Sequence, residues 1–373
     1  MKAFKQGQWL KQAGFRSFVP TEIHRPWSVD DMELLHSLSR ADRALGRLDM
    51  FSEYVPDIDL FVQMHITKEA TKSSQIEGTQ TGIAEAVLEE NEVQLDRRDD
   101  WAEVQNYVAA MDEALRLKAS LPLSSRLLRA THATLLRGVR GRDKLPGEFR
   151  RSQNWVGGSS PVDAAFVPPP HTEVERLMGD LENFLHDDTN LLPDLLKIGI
   201  AHYQFETIHP FLDGNGRIGR LMITLYLMER DILKRPVLYL SDSFERNRRS
   251  YYDALSDVRE KGDLTRWLKL FLNGVIDTAS SGRDTFDAIL KLQRELYAEI
   301  EKLGARAGNA RRLLDQLFGR PIQNADRIAT GLSVSKPTAY SLIRTFEDLG
   351  ILVEFTGGQR NRLYSFDRYI KLF

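Results

Sequence analysis

Apolar residues recur at intervals of three or four along most of the chain, which is the spacing of an amphipathic helix. The pattern begins after Ser28, where one helical face would carry Met32, Leu35, Leu38, Leu45 and Leu48. With breaks at Pro, Gly or Asp, it predicts further helices over residues 57–77, 83–95, 100–119 and 124–137, and more from about 172 to 303. Strand-like alternation is nearly missing, so we expect a mainly α protein.

Residues 146–170 interrupt the helical pattern. Prolines and paired glycines exclude a long helix here, while the runs Asn-Trp-Val at 154–156 and Ala-Ala-Phe-Val at 164–167 each suit a short strand. The segment therefore predicts a β-hairpin flap inserted among helices.

The pattern changes again near the C terminus. Helices are expected from Asn309, near Asn324 and from Ser335, followed by two strand-like runs on either side of Gly357-Gly358. Three helices and a two-stranded wing in this order are typical of a winged helix-turn-helix.

This C-terminal part is basic, with ten Lys and Arg against six Asp and Glu from Asn309 onward. Four of its basic residues fall where such a domain faces DNA phosphates: Lys336, Arg344, Arg360 and Arg362. Many winged helices bind proteins or dimerise instead, so DNA, a protein partner and a homodimer all stay open.

Composition excludes several classes of function. A chain of 373 residues is long enough for two or three packed units. Its 51 Lys and Arg nearly balance 53 Asp and Glu, so no global field draws it to nucleic acid or membrane. The lack of cysteine excludes disulfides, thiolate nucleophiles and Cys-ligated zinc. With a polar start and no long apolar run, we expect a soluble cytoplasmic protein without a membrane partner.

The most informative segment is HPFLDGNGRIGR, which spans residues 209–220 between two predicted helices. Glycines flank Asn215 where the second helix begins. Such a turn directs backbone N–H groups and the positive end of the helix dipole toward one point, which favours an anion. Arg217 and Arg220, three residues apart, can both reach phosphate oxygens.

Two further side chains of this segment suit phosphate chemistry. Asp213 is a natural ligand for a Mg²⁺ ion that bridges phosphates, and His209 can accept a proton from an attacking hydroxyl near neutral pH. Each feature alone is usually structural, since lone histidines pack, Gly-Asn-Gly is a turn and paired arginines are solvated. No turn requires all of them within 12 residues, so together they indicate a site.

HPFLDGNGRIGR resembles the Fic family signature, HxFx(D/E)GNGRxxR, at every defined position. The resemblance implies a Fic-type all-α core with a β-hairpin flap. It implies a protein adenylyltransferase, which transfers AMP from ATP to a Ser, Thr or Tyr hydroxyl of a target protein or of itself. The related Doc branch, which phosphorylates, has lysine at the second glycine, so Gly216 favours nucleotidyl transfer.

The resemblance also implies roles for individual residues. His209 would be the general base, Asp213 the Mg²⁺ ligand and Asn215 a contact to the α-phosphate. Gly214 and Gly216 would form the anion hole. Arg217 and Arg220 would clamp the β- and γ-phosphates. Ile218 and Gly219 would complete the nucleotide-binding segment.

Two other segments resemble the family. SFERNRRSYYDAL, residues 243–255, resembles the helix that holds adenosine, which would place Tyr251 and Tyr252 near the base or ribose. For Tyr251, packing between helices is an equal alternative. The flap at residues 165–168 would align the backbone of a target by β-augmentation.

Ser73-Ser-Gln-Ile-Glu77-Gly78 resembles the [S/T]xxxE[G/N] motif that precedes the core in self-inhibited Fic proteins. An acidic residue at a helix end is ordinarily solvated. The resemblance implies instead that Glu77, with Ser73, pairs with Arg220 and keeps it from the γ-phosphate.

The expected organisation is an N-terminal helical region at 1–100, a Fic catalytic core at 101–285, a connecting helix at 286–308 and a winged helix-turn-helix domain at 309–373. Two alternatives to AMP transfer stay open. In one, Glu77 orients a water that removes AMP from a protein; in the other, a decayed core serves as scaffold for a DNA-binding regulator.

Overall fold

The computed structural model describes residues 4–54, 58–358 and 362–373. Helices dominate the described residues, as the apolar spacing predicts. In chain order they are α1 Met32–Tyr54, α2 Ile58–Ile76, α3 Ile83–Ala86, α4 Arg98–Lys118, α5 Ser125–Leu135, α6 Val174–His186, α7 Asp194–Ile208, α8 Asn215–Glu229, α9 Ser241–Arg246, α10 Arg248–Lys261, α11 Leu264–Glu301, α12 Ala307–Gly319, α13 Ala325–Leu332, α14 Lys336–Asp348 and α15 Asp367–Ile370.

The centre of the molecule is formed by α7 and α8. In α7, 13 of the 15 residues are buried, because the helix is apolar on all sides and other helices surround it. The neighbouring α8 is buried almost as completely. Around this pair, α1 packs along α11, α4 packs against α5, and α2 lies against α4, α9 and α12.

The N-terminal region differs from the expected all-helical one. It begins with an antiparallel hairpin of β1 Gly7–Lys11 and β2 Arg16–Pro20. Strand β2 also contacts the flap segment, where the N–H of Phe18 donates to the carbonyl of Val167 at 3.0 Å. Five-residue strands show too little alternation to be predicted from sequence. The hydrogen bond from Phe18 to Val167, between segments far apart in the sequence, also holds the hairpin.

The predicted helix at 83–95 is wrong beyond its first turn. Only the four residues of α3 are helical, and two 3₁₀ turns follow at Glu90–Glu92 and Leu95–Arg97. Glu89 and Glu92 form a capping box, in which the Glu89 N–H donates to Glu92 Oε2 at 2.9 Å. This box starts a new turn inside the predicted helix and so interrupts it.

The predicted flap contains one bridged pair of residues in place of two strands. Val156 and Phe166 exchange two backbone hydrogen bonds of 2.8 and 3.1 Å. Pairing stops directly after Val156, where Gly157 and Gly158 turn the backbone at φ 69° and 71°.

Helix α11 is continuous over 38 residues, so it runs through the boundary expected between residues 285 and 286. Beyond it lie α12, α13 and α14 and a three-stranded antiparallel sheet, whose first strand precedes α13. Its strands are β3 Ile322–Gln323, β4 Val353–Glu354 and β5 Tyr364–Ser365, in the order β3-β5-β4. These elements include the three helices and the wing that the sequence predicts, with β3 in addition.

The basic residues expected to face DNA are only partly available. Lys336 pairs with Asp326 at 2.7 Å, and Arg362 donates from Nε to a backbone carbonyl at 2.8 Å. Arg344 is exposed on α14, whereas Arg360 lies outside the described residues. DNA binding therefore stays a prediction.

The C-terminal elements pack directly on the N-terminal helices. The ring of Phe318 in α12 lies 5.4 Å from that of Phe61 in α2. Arg327 of α13 pairs with Glu89 and Glu92, each at 2.7 Å. None of the helices among the described residues combines the length and apolar character needed to span a lipid bilayer.

Candidate active site

The candidate site lies in the turn between α7 and α8. His209 follows α7 with φ 50° and ψ 61°, in the left-handed region, and turns the chain. Gly214 precedes α8 at φ 74°, a conformation that glycine adopts without strain from a Cβ. Asn215 closes the turn, because its Oδ1 accepts from the N–H of Phe211 and its Nδ2 donates to the carbonyl of Phe211, both at 2.8 Å.

Asn215 holds the turn in shape. Its side chain is 2% exposed, and both ends of its amide bond to Phe211 of the same turn. A contact from Asn215 to the α-phosphate stays a prediction.

His209 is in the chemical state that a general base requires. Its Nδ1 lies 3.3 Å from the carbonyl oxygen of Glu206, which places the ring proton on Nδ1 and leaves Nε2 free to accept another. Burial, together with the positive charge of Arg150, lowers the pKa of His209 to about 4. The imidazole is therefore neutral near pH 7.

Two side chains from the flap segment hold this turn from outside. Arg150, 2% exposed, donates from Nε to the carbonyl of His209 at 2.9 Å and from Nη2 to that of Pro169 at 2.5 Å. Asn154 donates to the carbonyl of Phe211 at 2.8 Å. Sequence reasoning missed both residues, because no motif marks them and their partners are backbone atoms some 60 residues away.

Asp213 lies at the entrance of the turn with one carboxylate oxygen in use. Its Oδ1 accepts from the N–H of Gly214 at 2.6 Å, and Oδ2 has no hydrogen-bond partner in the part of the chain that is described. His132 anchors the backbone here, since its Nε2 contacts the carbonyl of Asp213 at 3.0 Å. A Cβ at Gly141 would lie 2.6 Å from Oδ2, so the loop after α5 requires glycine there.

A metal ion fits this site only together with phosphates. The described residues contain no group of three or more His, Cys, Asp or Glu placed to hold a metal ion. Mg²⁺ commonly takes one or two carboxylates and completes its shell with phosphate oxygens and water. The free oxygen of Asp213, whose side chain is 37% exposed, suits an ion that arrives with ATP.

Arg220 and the motif at the end of α2 form the expected pair. The buried Arg220 donates from Nη2 to Glu77 Oε1 at 2.6 Å and from Nε to Ser73 Oγ at 2.9 Å. Burial raises the pKa of Glu77, but the ion pair with Arg220 outweighs burial and holds it below its usual value. Glu77 is therefore an anion near pH 7 and occupies the guanidinium.

The glycine at position 216 makes room for this ion pair. A Cβ there would lie 2.3 Å from Glu77 Oε1 and 2.8 Å from Arg220 Nη1. The N-terminal turn of α8 and the Glu77–Arg220 pair thus meet at Gly216.

Arg217 has a different partner from the one expected. Its Nη1 lies 3.0 Å from Glu103 Oε2, and both side chains are buried. The second oxygen of Glu103 lies 2.8 Å from Nη2 of Arg140, whose side chain is 65% exposed. Glu103 comes from α4 and Arg140 from the loop after α5. No motif marks them, so sequence reasoning missed both.

The two tyrosines of α10 have different surroundings. Tyr251 is 1% exposed and its hydroxyl lies 2.9 Å from His202 Nε2, so it packs in the core and does not face a ligand. Tyr252 is 38% exposed and stays available as a contact. Within the turn segment Ile218 is also fully buried, and a Cβ at Gly219 would lie 2.3 Å from Glu206 Oε1, so these two residues pack.

Comparisons with known proteins agree with this geometry. The sequence profile described as Fic/DOC family N-terminal matches residues 35–116, and the profile described as Fic/DOC family matches residues 122–227. The second match contains the whole turn, and the first contains Glu77.

Known adenylyltransferases are similar in sequence. A probable protein adenylyltransferase of Aquifex aeolicus is 26% identical over 263 residues, 67% of this chain and 76% of that protein. The protein adenylyltransferase Fic of Aedes aegypti is 36% identical over 124 residues, 33% of this chain and 22% of that protein. The match thus spans about a fifth of the mosquito protein's length.

Solved structures show the same fold. A Fic family protein from Desulfovibrio desulfuricans G20 aligns with a TM-score of 0.59 at 19% identity, over 92% of this chain and 98% of that one. Fic-1 from C. elegans aligns with a TM-score of 0.50 at 20% identity, over 70% of this chain and 75% of that one.

Proposed function

Because this chain belongs to the Fic/DOC family, we propose that the turn at residues 209–220 transfers AMP from ATP to a hydroxyl group of a protein. One observation carries the proposal: a half-buried His209, whose lowered pKa keeps it neutral near pH 7, lies in the turn that leads into α8 and its two buried arginines. The similar proteins named protein adenylyltransferase support the same activity.

In the proposed reaction the hydroxyl oxygen of the target attacks the α-phosphorus of ATP, and its proton passes to Nε2 of His209. A bond forms between this oxygen and the α-phosphorus, while the bond from the α-phosphorus to the oxygen bridging the β-phosphate breaks. The products are a protein that carries AMP and free pyrophosphate. Backbone N–H groups at the start of α8 stabilise the charge on the phosphate.

The charged side chains divide the remaining work. Arg217 and Arg220 bind the β- and γ-phosphates and so place the α-phosphorus for in-line attack. We propose that Asp213 holds a Mg²⁺ ion that arrives with ATP. Such an ion neutralises phosphate charge.

Glu77 restrains the reaction in this proposal. Its carboxylate lies 2.6 Å from Arg220 and fills the space beside Gly216. Arg220 is therefore already paired, and the negative charge of Glu77 repels the β- and γ-phosphates of ATP. The α-phosphorus is then badly placed for attack. The alternative role, in which Glu77 orients a water to remove AMP, is less favoured because this carboxylate is engaged by Arg220.

Glu77→Gly tests the proposal. We expect at least a tenfold rise in AMP transfer to proteins of a cell lysate, because Arg220 becomes free to bind phosphate. The measurement is incorporation of adenine-labelled ATP, with Glu77→Gly/His209→Ala as the control that removes the base. Equal labelling of the parent and Glu77→Gly would exclude the restraint. Labelling that survives in the double variant would exclude His209 as base.

The C-terminal helices offer a separate surface. A DNA partner there stays a prediction that rests on the exposed face of α14 and its Arg344, and a protein partner is equally compatible with that face. The proposed transfer does not depend on either.

A further inference from the structure

Glu103 joins two arginines at the phosphate end of the site. Its Oε2 pairs with Arg217 at 3.0 Å and its Oε1 with Arg140 at 2.8 Å, while its own side chain is 2% exposed. One carboxylate therefore holds two guanidiniums, and Arg217 also lies 3.4 Å from Asp213 Oδ1.

The backbone fixes the place of Arg140. The loop after α5 is tied to α4, because Asn106 donates to the carbonyl of Arg137 at 2.7 Å. Two turn hydrogen bonds order it further, from the N–H of Arg142 to Val139 at 3.0 Å and from that of Lys144 to Gly141 at 2.8 Å. The residue after Arg140 is Gly141, where a Cβ would lie 2.6 Å from Asp213 Oδ2.

The guanidinium of Arg140 therefore shares the carboxylate of Glu103 with Arg217, and its loop passes next to Asp213 at Gly141. Its side chain is 65% exposed, and its contact with Glu103 is the one ion pair it makes with the described residues. Its remaining N–H donors face solvent. A guanidinium held by a buried carboxylate on one side and open on the other is positioned to bind an anion.

We propose that Arg140 is a third arginine of the nucleotide site, which binds the β- and γ-phosphates of ATP and then the pyrophosphate that leaves. Glu103 is its positioning residue. The inference rests on the proposed AMP transfer, since it assigns the phosphate end of the same ATP.

The loop supplies a matched control. Arg142 is two residues away and just as exposed, at 70%, but its carboxylate neighbour is Asp143 at 4.0 Å, itself 92% exposed. It shares the charge and the loop of Arg140, and it lacks the link to Glu103 and Arg217. A general effect of positive charge on ATP affinity would appear equally in both variants.

The test measures ATP and AMP affinity by titration calorimetry with Mg²⁺ at constant salt, in the full chain with Glu77→Gly. Arg140→Ala is expected to weaken ATP binding about tenfold, the usual effect of one charge-assisted hydrogen bond to phosphate, and to leave AMP binding unchanged. Arg142→Ala is expected to change ATP affinity less than about twofold.

Several outcomes would overturn the inference. Equal loss of ATP affinity in Arg140→Ala and Arg142→Ala would show a general charge effect, and equal loss of ATP and AMP in Arg140→Ala would show a distorted site. If Glu77→Gly binds ATP and Arg140→Ala binds it equally well, this inference alone fails. If Glu77→Gly binds neither nucleotide, the proposed function fails as well.

Discussion

His209 owes its chemical state to its surroundings. Burial and Arg150 lower its pKa to about 4, and the carbonyl of Glu206 fixes which nitrogen carries the proton. The sequence identified His209 because it belongs to a contiguous motif. It could not show the lowered pKa, which arises from residues of other segments.

The pKa of His209 predicts the pH profile of AMP transfer. A general base works when deprotonated, so activity is present above the pKa and is lost as the pH falls through it. With a pKa of about 4, we expect kcat/KM of Glu77→Gly to stay constant from about pH 8 to pH 6 and to fall only below about pH 5.5. Initial rates at several pH values check this. An acid limb centred near pH 6.5 would contradict a lowered pKa of His209.

The sequence also identifies the charged residues of the site only where a motif contains them. The arginines of the turn were predicted together, because Arg217 and Arg220 stand in one motif. Glu103 and Arg140 come from α4 and the loop after α5, and only the folded chain brings them to Arg217. Glu77 was found because a second motif marks it, and its pair with Arg220 is present at 2.6 Å.

At the scale of elements, local pattern predicted the helices and failed for strands and short turns. The long helices follow from apolar spacing that survives over several turns. The hairpin β1–β2 contacts the flap near Val167. Within the flap, the paired residues are Val156 and Phe166. Both pairings are short, so the alternation along each is too brief for the sequence to predict its extent.

Arg150 connects the flap segment to the turn at residues 209–220, which leads to a prediction. Arg150→Ala removes donors to the carbonyls of His209 and Pro169. The Pro169 carbonyl then loses its donor, while Asn154 still donates to that of His209 at 3.3 Å. We expect the free energy of unfolding to fall by about 3 kcal/mol and AMP transfer to fall at least tenfold. Urea unfolding and initial rates measure the two effects. Arg151→Ala, at a side chain 78% exposed, is the matched control.

Unchanged stability and activity in Arg150→Ala would show that the turn holds its shape without the flap segment. A loss of stability with full activity would show that this arginine supports the fold and leaves the geometry of His209 unaffected.

At the scale of the whole molecule, α2 links the site to the C-terminal elements. It carries Phe61, which packs on Phe318 of α12, and it ends next to Glu77, which holds Arg220. The sequence predicted both regions separately. It could not show that one helix contacts both, because such packing depends on side chains more than 250 residues apart.

The most direct test of the account follows the phosphorus atoms of ATP. Glu77→Gly is incubated with a cell lysate and with ATP labelled at either the α- or the γ-phosphate, and labelled proteins are separated by electrophoresis. We predict α-labelled protein bands that are lost in Glu77→Gly/His209→Ala, and no γ-labelled bands beyond those that lysate kinases also produce with the double variant. New γ-labelled bands specific to Glu77→Gly, or no α-labelled bands, would contradict AMP transfer by this site.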